Sequence, residues 1–126
     1  MATFGPSLIG SFATNTDLSS SKYRLAVAAG DGLVDQGAGV GTMIVGILTD
    51  GVADGSAATA GVSVAIAGIA KCEAGAAISQ GDPLTSDASG RAIAAGAPGD
   101  NLVGRALTSA SGAGEIFEVL VIQGVL

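Results

Sequence analysis

The chain has 126 residues, a length that predicts one domain and leaves no room for a second. Its net charge of −6, with five basic residues scattered along the sequence, argues against nucleic acid or an anionic membrane surface as a partner. Because the sequence contains no histidine, catalytic triads of the Ser-His-Asp and Cys-His types are excluded.

The composition favours a thin core. Alanine supplies much of the 48 % hydrophobic fraction, and the 21 glycines add flexible backbone instead of apolar side chains. The four aromatic residues are Phe4, Phe12, Tyr23 and Phe117. We therefore expect part of the stability to come from association with other chains. The uncharged stretches are short and interrupted by glycine, so no membrane span is predicted.

The first predicted element is an extended N-terminal arm at residues 1–22, in front of a domain at residues 23–126. This segment follows neither the period of a strand nor that of a helix. It nevertheless carries the apolar residues Phe4, Leu8, Ile9 and Phe12, which a disordered tail would lack. We expect the arm to dock on another surface.

Three stretches after the arm show the alternation of a β-strand. They are YRLAVA (residues 23–28), GVSVAI (61–66) and IFEVLVI (116–122). The faces predicted to be buried are Tyr23, Leu25 and Val27; Val62, Val64 and Ile66; and Phe117, Val119 and Val121. In the last strand Ile116, Leu120 and Ile122 make the second face almost as apolar, so we expect both of its faces to be covered.

Turn signals separate the strands at short intervals. Asp-Gly, Pro-Gly and Ser-Gly pairs supply the backbone conformations that tight turns require. Many short strands with such turns predict an all-β fold, either a small β-barrel or a sandwich-like domain. The one helical candidate, CEAGAAIS (residues 72–79), contains a glycine and is too short for more than one turn.

The stretch GDPLTSDASGRA, residues 81–92, predicts a hairpin corner. Because Pro83 cannot donate a ladder hydrogen bond, Gly81-Asp82-Pro83 marks the start of an edge strand. Ser89-Gly90 then reverses the chain.

An internal repeat indicates two copies of one β-unit. IVGILT (residues 44–49) and LVGRALT (102–108) share an apolar residue, Val-Gly, a short step and Leu-Thr. Each leads through a Gly-rich turn to a strong predicted strand.

The sequence offers no pattern of catalytic, cofactor-binding or metal-ligating residues. Most carboxylates are aspartates in predicted turns, where they satisfy backbone N–H groups. GAGVG (37–41) lacks the lysine and the helix of a phosphate loop, and DGVADG (50–55) lacks the alternating acids of a calcium loop. Cys72 is expected to be a small buried apolar residue and not a reactive thiol. We predict that the protein is not an enzyme.

Several motifs occur together in the second half of the chain: Gly81-Asp82-Pro83-Leu84, Asp87 with Gly90-Arg91-Ala92, Val103-Gly104-Arg105-Ala106-Leu107, and a turn through Gly114 before Val119-Leu120-Val121. In this combination residues 23–122 resemble the capsid cement (head decoration) proteins of tailed bacteriophages. The resemblance implies a β-barrel-like domain that binds the outer surface of the mature head and locks neighbouring major capsid proteins together. It also implies a homo-oligomer, with a trimer favoured, that is made in the host cytoplasm and located on the virion.

In such families the N-terminal segment often reaches the capsid or a neighbouring subunit. The residues of this arm that would do so are Phe4, Pro6, Leu8, Ile9 and Phe12.

Two other classes of function stay open. One is a β-rich carbohydrate- or receptor-binding surface module of a virion, which would present stacked aromatic side chains. The other is a small hydrolase or isomerase that assembles a carboxylate pair across subunits, with Asp82 and Asp87 as candidates.

Overall fold

The computed structural model describes residues 7–14, 18, 21–30, 33–39, 41, 43–49 and 60–126, which form one sheet of nine β-strands and no helix. The strands are β1 (Ser7–Thr14), β2 (Leu25–Gly30), β3 (Leu33–Gln36), β4 (Ile44–Leu48), β5 (Ala60–Glu73), β6 (Pro83–Ser86), β7 (Ala92–Ala94), β8 (Asn101–Ala106) and β9 (Ile116–Val125). The predicted all-β fold is confirmed. Since the described residues include no helix, they include none that could cross a membrane.

Five of these strands close into a β-barrel. The order of strands in the sheet is β1-β3-β2-β4-β5-β9-β8-β6-β7, and β5 also pairs with β1. This additional pairing joins the two ends of the group β1, β3, β2, β4 and β5. Closure removes the free edges that an open sheet would present. The predicted barrel is confirmed.

The strand that closes the barrel comes from the predicted arm. β1 pairs antiparallel with the first part of β5 and meets β3 at one parallel bridge. A register shift between Leu8 and Ile9 interrupts the alternation of the strand, which explains why its sequence lacks a period of two. The described part of the arm therefore docks on its own chain. The domain boundary at residue 22 stays a prediction.

The other strands extend the sheet beyond the barrel. β5 has 14 residues, and its second part, Gly68–Glu73, pairs with β9. β4 and β9 thus follow each other along the same edge of β5. At the point on β5 where the pairing with β4 ends and the pairing with β9 begins, Gln123 Nε2 donates two hydrogen bonds. The acceptors are the carbonyl oxygens of Val45, at 2.6 Å, and Ile66, at 2.7 Å. The Gln123 amide therefore joins three strands at this junction.

The described residues form two hydrophobic cores. One lies in the barrel and consists of Leu18, Ala26, Val34, Leu48, Val62 and Val64, with Phe12, Val45 and Ile66 packed against it. The other joins the barrel to the strands beyond it, with Leu25, Val27, Ile44 and Ile47 from the barrel and Cys72, Leu84, Val103, Phe117, Val119 and Val121 among its other members. The core is therefore divided between two sides of the barrel wall.

The divided core corrects the prediction for YRLAVA as a half-buried strand. Leu25 and Ala26 are both fully buried, although their side chains belong to different cores. Tyr23 does not share the strand face, because its φ of 67° lies in the left-handed region and β2 begins only at Leu25. Alternation alone therefore underestimated the burial of β2.

The hairpin at residues 81–92 forms as predicted, but its first strand is not an edge strand. β6 pairs with β7 on one side and with β8 on the other. Pro83 is tolerated because it is the first residue of β6, a position where a missing N–H is acceptable in a sheet. β7 is the last strand in the sheet order. CEAGAAIS contains bends and two isolated bridges and no helical turn.

Both copies of the internal repeat form the first strand of an antiparallel hairpin. β4 pairs with β5, and β8 pairs with β9. The glycine of each copy has the same function: a Cβ on Gly46 would overlap the carbonyl oxygen of Ala65, and one on Gly104 would overlap that of Leu120. The Val-Gly step of the repeat thus marks a close approach between two backbones.

Candidate docking surface

One face of β9 is buried and the other is open. Phe117, Val119 and Val121 belong to the second core. On the opposite face Ile116 is 47 % exposed and Ile122 is 62 % exposed. The prediction that both faces of this strand are covered is wrong for the described chain. Both faces of β9 are apolar, but only one of them packs against the second core.

The strand register identifies the neighbours of these exposed residues. Ile69, Leu120 and Arg105 form one row across β5, β9 and β8, and Lys71 lies opposite Glu118 in the next row. Side chains that are directly opposite in a sheet point to the same face. The outer face is therefore defined as the side that carries Ile69, Lys71, Glu73, Arg105, Ile116, Glu118, Leu120 and Ile122.

A shallow groove lies where β8 pairs with β9, and two of its lining residues, Arg105 and Ile122, belong to the outer face. Its volume is about 190 Å³, and its lining includes Leu102, Arg105, Ile122, Gln123 and Val125. The lining combines apolar side chains and a guanidinium group, whereas the Gln123 amide is already bonded to the carbonyl oxygens of Val45 and Ile66. Such a groove suits a protruding side chain of a partner protein better than an enclosed small molecule.

The described residues of the predicted contact set divide into two that are exposed and one that is half-buried. Leu8 is 60 % exposed and Ile9 is 47 % exposed, whereas Phe12 packs against the barrel core. Phe4 and Pro6 lie outside the described residues. Leu8 pairs with Ala67, next to the point where β9 begins its pairing with β5, so β1 brings an exposed side chain close to the outer face.

The charges on the outer face differ from those of the whole chain. Ion pairs among the described residues join Arg24 to Glu73 and Arg91 to both Glu73 and Asp87. Lys71 and Arg105 are exposed and take part in none of them.

Arg105 is oriented by the hairpin beside it. One of its guanidinium nitrogens, Nη1, donates to the carbonyl oxygen of Gly81 at 3.0 Å. Its other N–H groups donate to none of the described residues, so they are available to a partner. Two acids share this face: Glu73 is paired with Arg24 and Arg91, and Glu118 offsets one of the two cationic groups. The central rows of the outer face therefore have a positive excess on a chain of net charge −6.

The corner at residues 81–92 attaches the strands beyond the barrel to β2. Asp87 Oδ1 accepts hydrogen bonds from the backbone N–H groups of Ser89 and Arg91, both at 2.8 Å. The carbonyl oxygen of Gly90 accepts from the N–H of Leu25 at 2.7 Å. The aspartate thus shapes the loop, and the loop then binds the first residue of β2. These contacts assign the corner a structural function.

The candidate carboxylate pair is not assembled within the chain. Asp82 lies before β6 and Asp87 after it. Asp82 Oδ2 accepts from the backbone N–H of Ser79 at 2.9 Å, as expected for a turn aspartate. Both side chains are engaged in local loop structure.

Cys72 is fully buried in the second core, and burial raises the pKa of its thiol far above the ordinary value. A neutral, inaccessible thiol is a poor nucleophile. Among the described residues, no group of three His, Cys, Asp or Glu side chains is close enough to hold a metal ion.

The described aromatic residues do not present an open stacking platform. Phe117 is buried, and Phe12 and Tyr23 are half-buried. The Lys22 ammonium lies 4.9 Å from the centre of the Tyr23 ring. A sugar-binding site would need exposed ring faces, so these residues give it no support.

The sequence identified Ile116, Leu120 and Ile122 as a second apolar face but did not show that it would be open. It gave no sign that Lys71 and Arg105 would share that face. Residues on three strands come together there only through the register of β5, β9 and β8.

Comparison with known proteins adds a family and a fold. A family described as phage cement protein matches residues 18–123. The chain is also similar to the crystal structure of the head fiber gp8.5 N base of bacteriophage phi29, with a TM-score of 0.67 and 21 % sequence identity. The alignment covers 94 % of this chain and 97 % of the phi29 chain. Among curated proteins, no sequence matches this chain.

Proposed function

Since the chain belongs to the phage cement protein family, we propose that it binds the outer surface of the mature phage head and stabilises contacts between major capsid proteins. It is a capsid-associated protein of the virion. The observation that carries the finer proposal is the open second face of β9, where Ile116 and Ile122 present apolar surface beside Lys71 and Arg105. The role is structural and not catalytic.

The fold suits this role for a physical reason. A closed barrel has no free edge. The strands beyond it are held to the barrel by the hydrogen bond from the Leu25 N–H to the Gly90 carbonyl oxygen and by the ion pairs of Arg24 and Arg91 with Glu73. A rigid outer face loses little conformational entropy when it binds, so more of the contact energy is available to hold its neighbours.

A homo-oligomer, with a trimer favoured, is part of this proposal. Its support is the exposed apolar surface of β1, at Leu8 and Ile9. The arm residues Leu8 and Ile9 are proposed to contact either the capsid or a neighbouring copy.

The arm requires point substitutions for its test. Because β1 closes the barrel, deletion of residues 2–21 is expected to open the fold as well as remove any contact. Leu8→Asn together with Ile9→Asn changes exposed side chains and keeps the strand. If the double variant assembles and binds heads like the unmodified protein, the arm contact is wrong.

The proposed function is tested by mixing purified protein with undecorated, expanded heads. We expect saturable binding and a rise in the temperature at which the heads release their DNA. A protein that fails to bind, or binds without any gain in heat resistance, contradicts the proposal. Ile122→Asn is the matched variant, since it changes the outer face and leaves both cores intact.

A further inference from the structure

We propose that the groove on the outer face receives a carboxylate side chain of the capsid partner, with Arg105 as its direct ligand and Lys71 as a second cationic contact. This inference rests on the proposed function and adds the chemistry of the partner surface. That surface is acidic, with apolar side chains that cover Ile122.

The position of Arg105 carries the first step. It lines the groove together with Ile122 and Val125, and its bond to the Gly81 carbonyl holds the guanidinium in place. A guanidinium group presents several N–H donors in a plane that matches the two oxygens of a carboxylate. Apolar neighbours exclude water from such a pair and strengthen its hydrogen bonds.

The charge distribution carries the second step. The chain as a whole has a charge of −6, and an acidic partner would repel most of its surface. Lys71 and Arg105 lie in adjacent rows of the outer face and outside the ion pairs of the described residues. Glu73, on the same strand as Lys71, is paired with Arg24 and Arg91. The protein can therefore approach an acidic surface favourably only when its outer face is turned towards that surface.

The same distribution argues against a second copy that binds through the same face. Two outer faces in an isologous contact would each bring an excess of positive charge. Like charges that face each other across an interface repel, so a contact between two outer faces is disfavoured. A capsid surface with carboxylates fits the outer face better than another outer face does.

The test is a charge reversal with a matched control. Arg105→Glu and Lys71→Glu are titrated against undecorated heads at low and high salt, and Lys22→Glu makes the same change in net charge at an exposed site outside the face. We expect Arg105→Glu to weaken binding by about 10-fold or more at low salt, with a smaller difference at high salt, and Lys22→Glu to weaken it by about 2-fold at most. Arg105→Lys keeps the positive charge but loses the planar set of donors. We expect its loss of head binding to lie between those of Arg105→Glu and Lys22→Glu.

Each other outcome overturns the inference in a distinguishable way. Normal binding of Arg105→Glu and Lys71→Glu, while the unmodified protein binds heads, refutes the acidic partner and leaves the proposed function in place. Loss of self-association in these variants without loss of head binding assigns the outer face to a second copy. Failure of the unmodified protein to bind heads refutes the proposed function, and the inference with it. Thermal unfolding of each variant confirms that the fold is kept.

Discussion

The substitution Ile122→Ala should weaken binding to heads without changing the stability of the fold. The side chain is 62 % exposed and lies on the face opposite the second core. Burial of a whole isoleucine side chain contributes about 1.5–3 kcal/mol, so covering the exposed 62 % contributes about 1–2 kcal/mol. At 25 °C this corresponds to a Kd for heads that rises about 5- to 25-fold in Ile122→Ala.

Met43 provides the control for this substitution. It is 63 % exposed, nearly the same as Ile122, but it precedes β4 on the barrel and is not part of the outer face. Met43→Ala should therefore bind heads like the unmodified protein, and both variants should keep their unfolding temperature within a few degrees. Co-sedimentation with heads measures the two Kd values. The reasoning fails if Ile122→Ala binds normally, or if Met43→Ala weakens binding by as much.

Three further predictions concern the fold. Leu48→Ala in the barrel core and Leu84→Ala in the second core should each lower the free energy of unfolding by about 2–5 kcal/mol in denaturant titrations; a negligible loss at either site would mean that its core does not contribute to stability. Gly104→Ala should destabilise the protein by more than about 2 kcal/mol, because the added Cβ overlaps a β9 carbonyl oxygen. Gly96→Ala is the control: its Cβ lies in open space, so stability should change by less than about 1 kcal/mol. Equal effects of the two substitutions would contradict the close approach of β8 and β9. Cys72 should resist a thiol reagent until the protein unfolds. Because its pKa is raised in the folded state, its contribution to stability is complete below the ordinary value of 9.0 and declines as pH rises above it, so a stability that increases above pH 9 would contradict the burial.

Local patterns predicted the strands that have one buried face and regular pairing. Val62, Val64 and Ile66 share the barrel core. Phe117, Val119 and Val121 belong to the second core. The turn chemistry around Asp87 also acts as the sequence indicates, since the carboxylate accepts from nearby N–H groups. In each case the residues that decide the structure are close in sequence.

The features that sequence missed depend on distant pairing. Ala26 looks like a solvent-facing residue in an alternating strand, but barrel closure by β1 places it in a core. Pro83 is typical of an edge, yet its position at the start of β6 allows a strand on each side. Ile122 has the same apolar character as Val121, and only the side on which the sheet packs leaves it open. Neither the pairing of Ala13 with Leu33 nor the row of Ile69, Leu120 and Arg105 has a local signal.

The most direct measurement is an image of the decorated head at side-chain resolution. The account predicts that β5, β9 and β8 face the capsid, with Ile122 buried and Arg105 within hydrogen-bond distance of a carboxylate on the major capsid protein. A map in which this face points to solvent, with the chain attached through another surface, would contradict it.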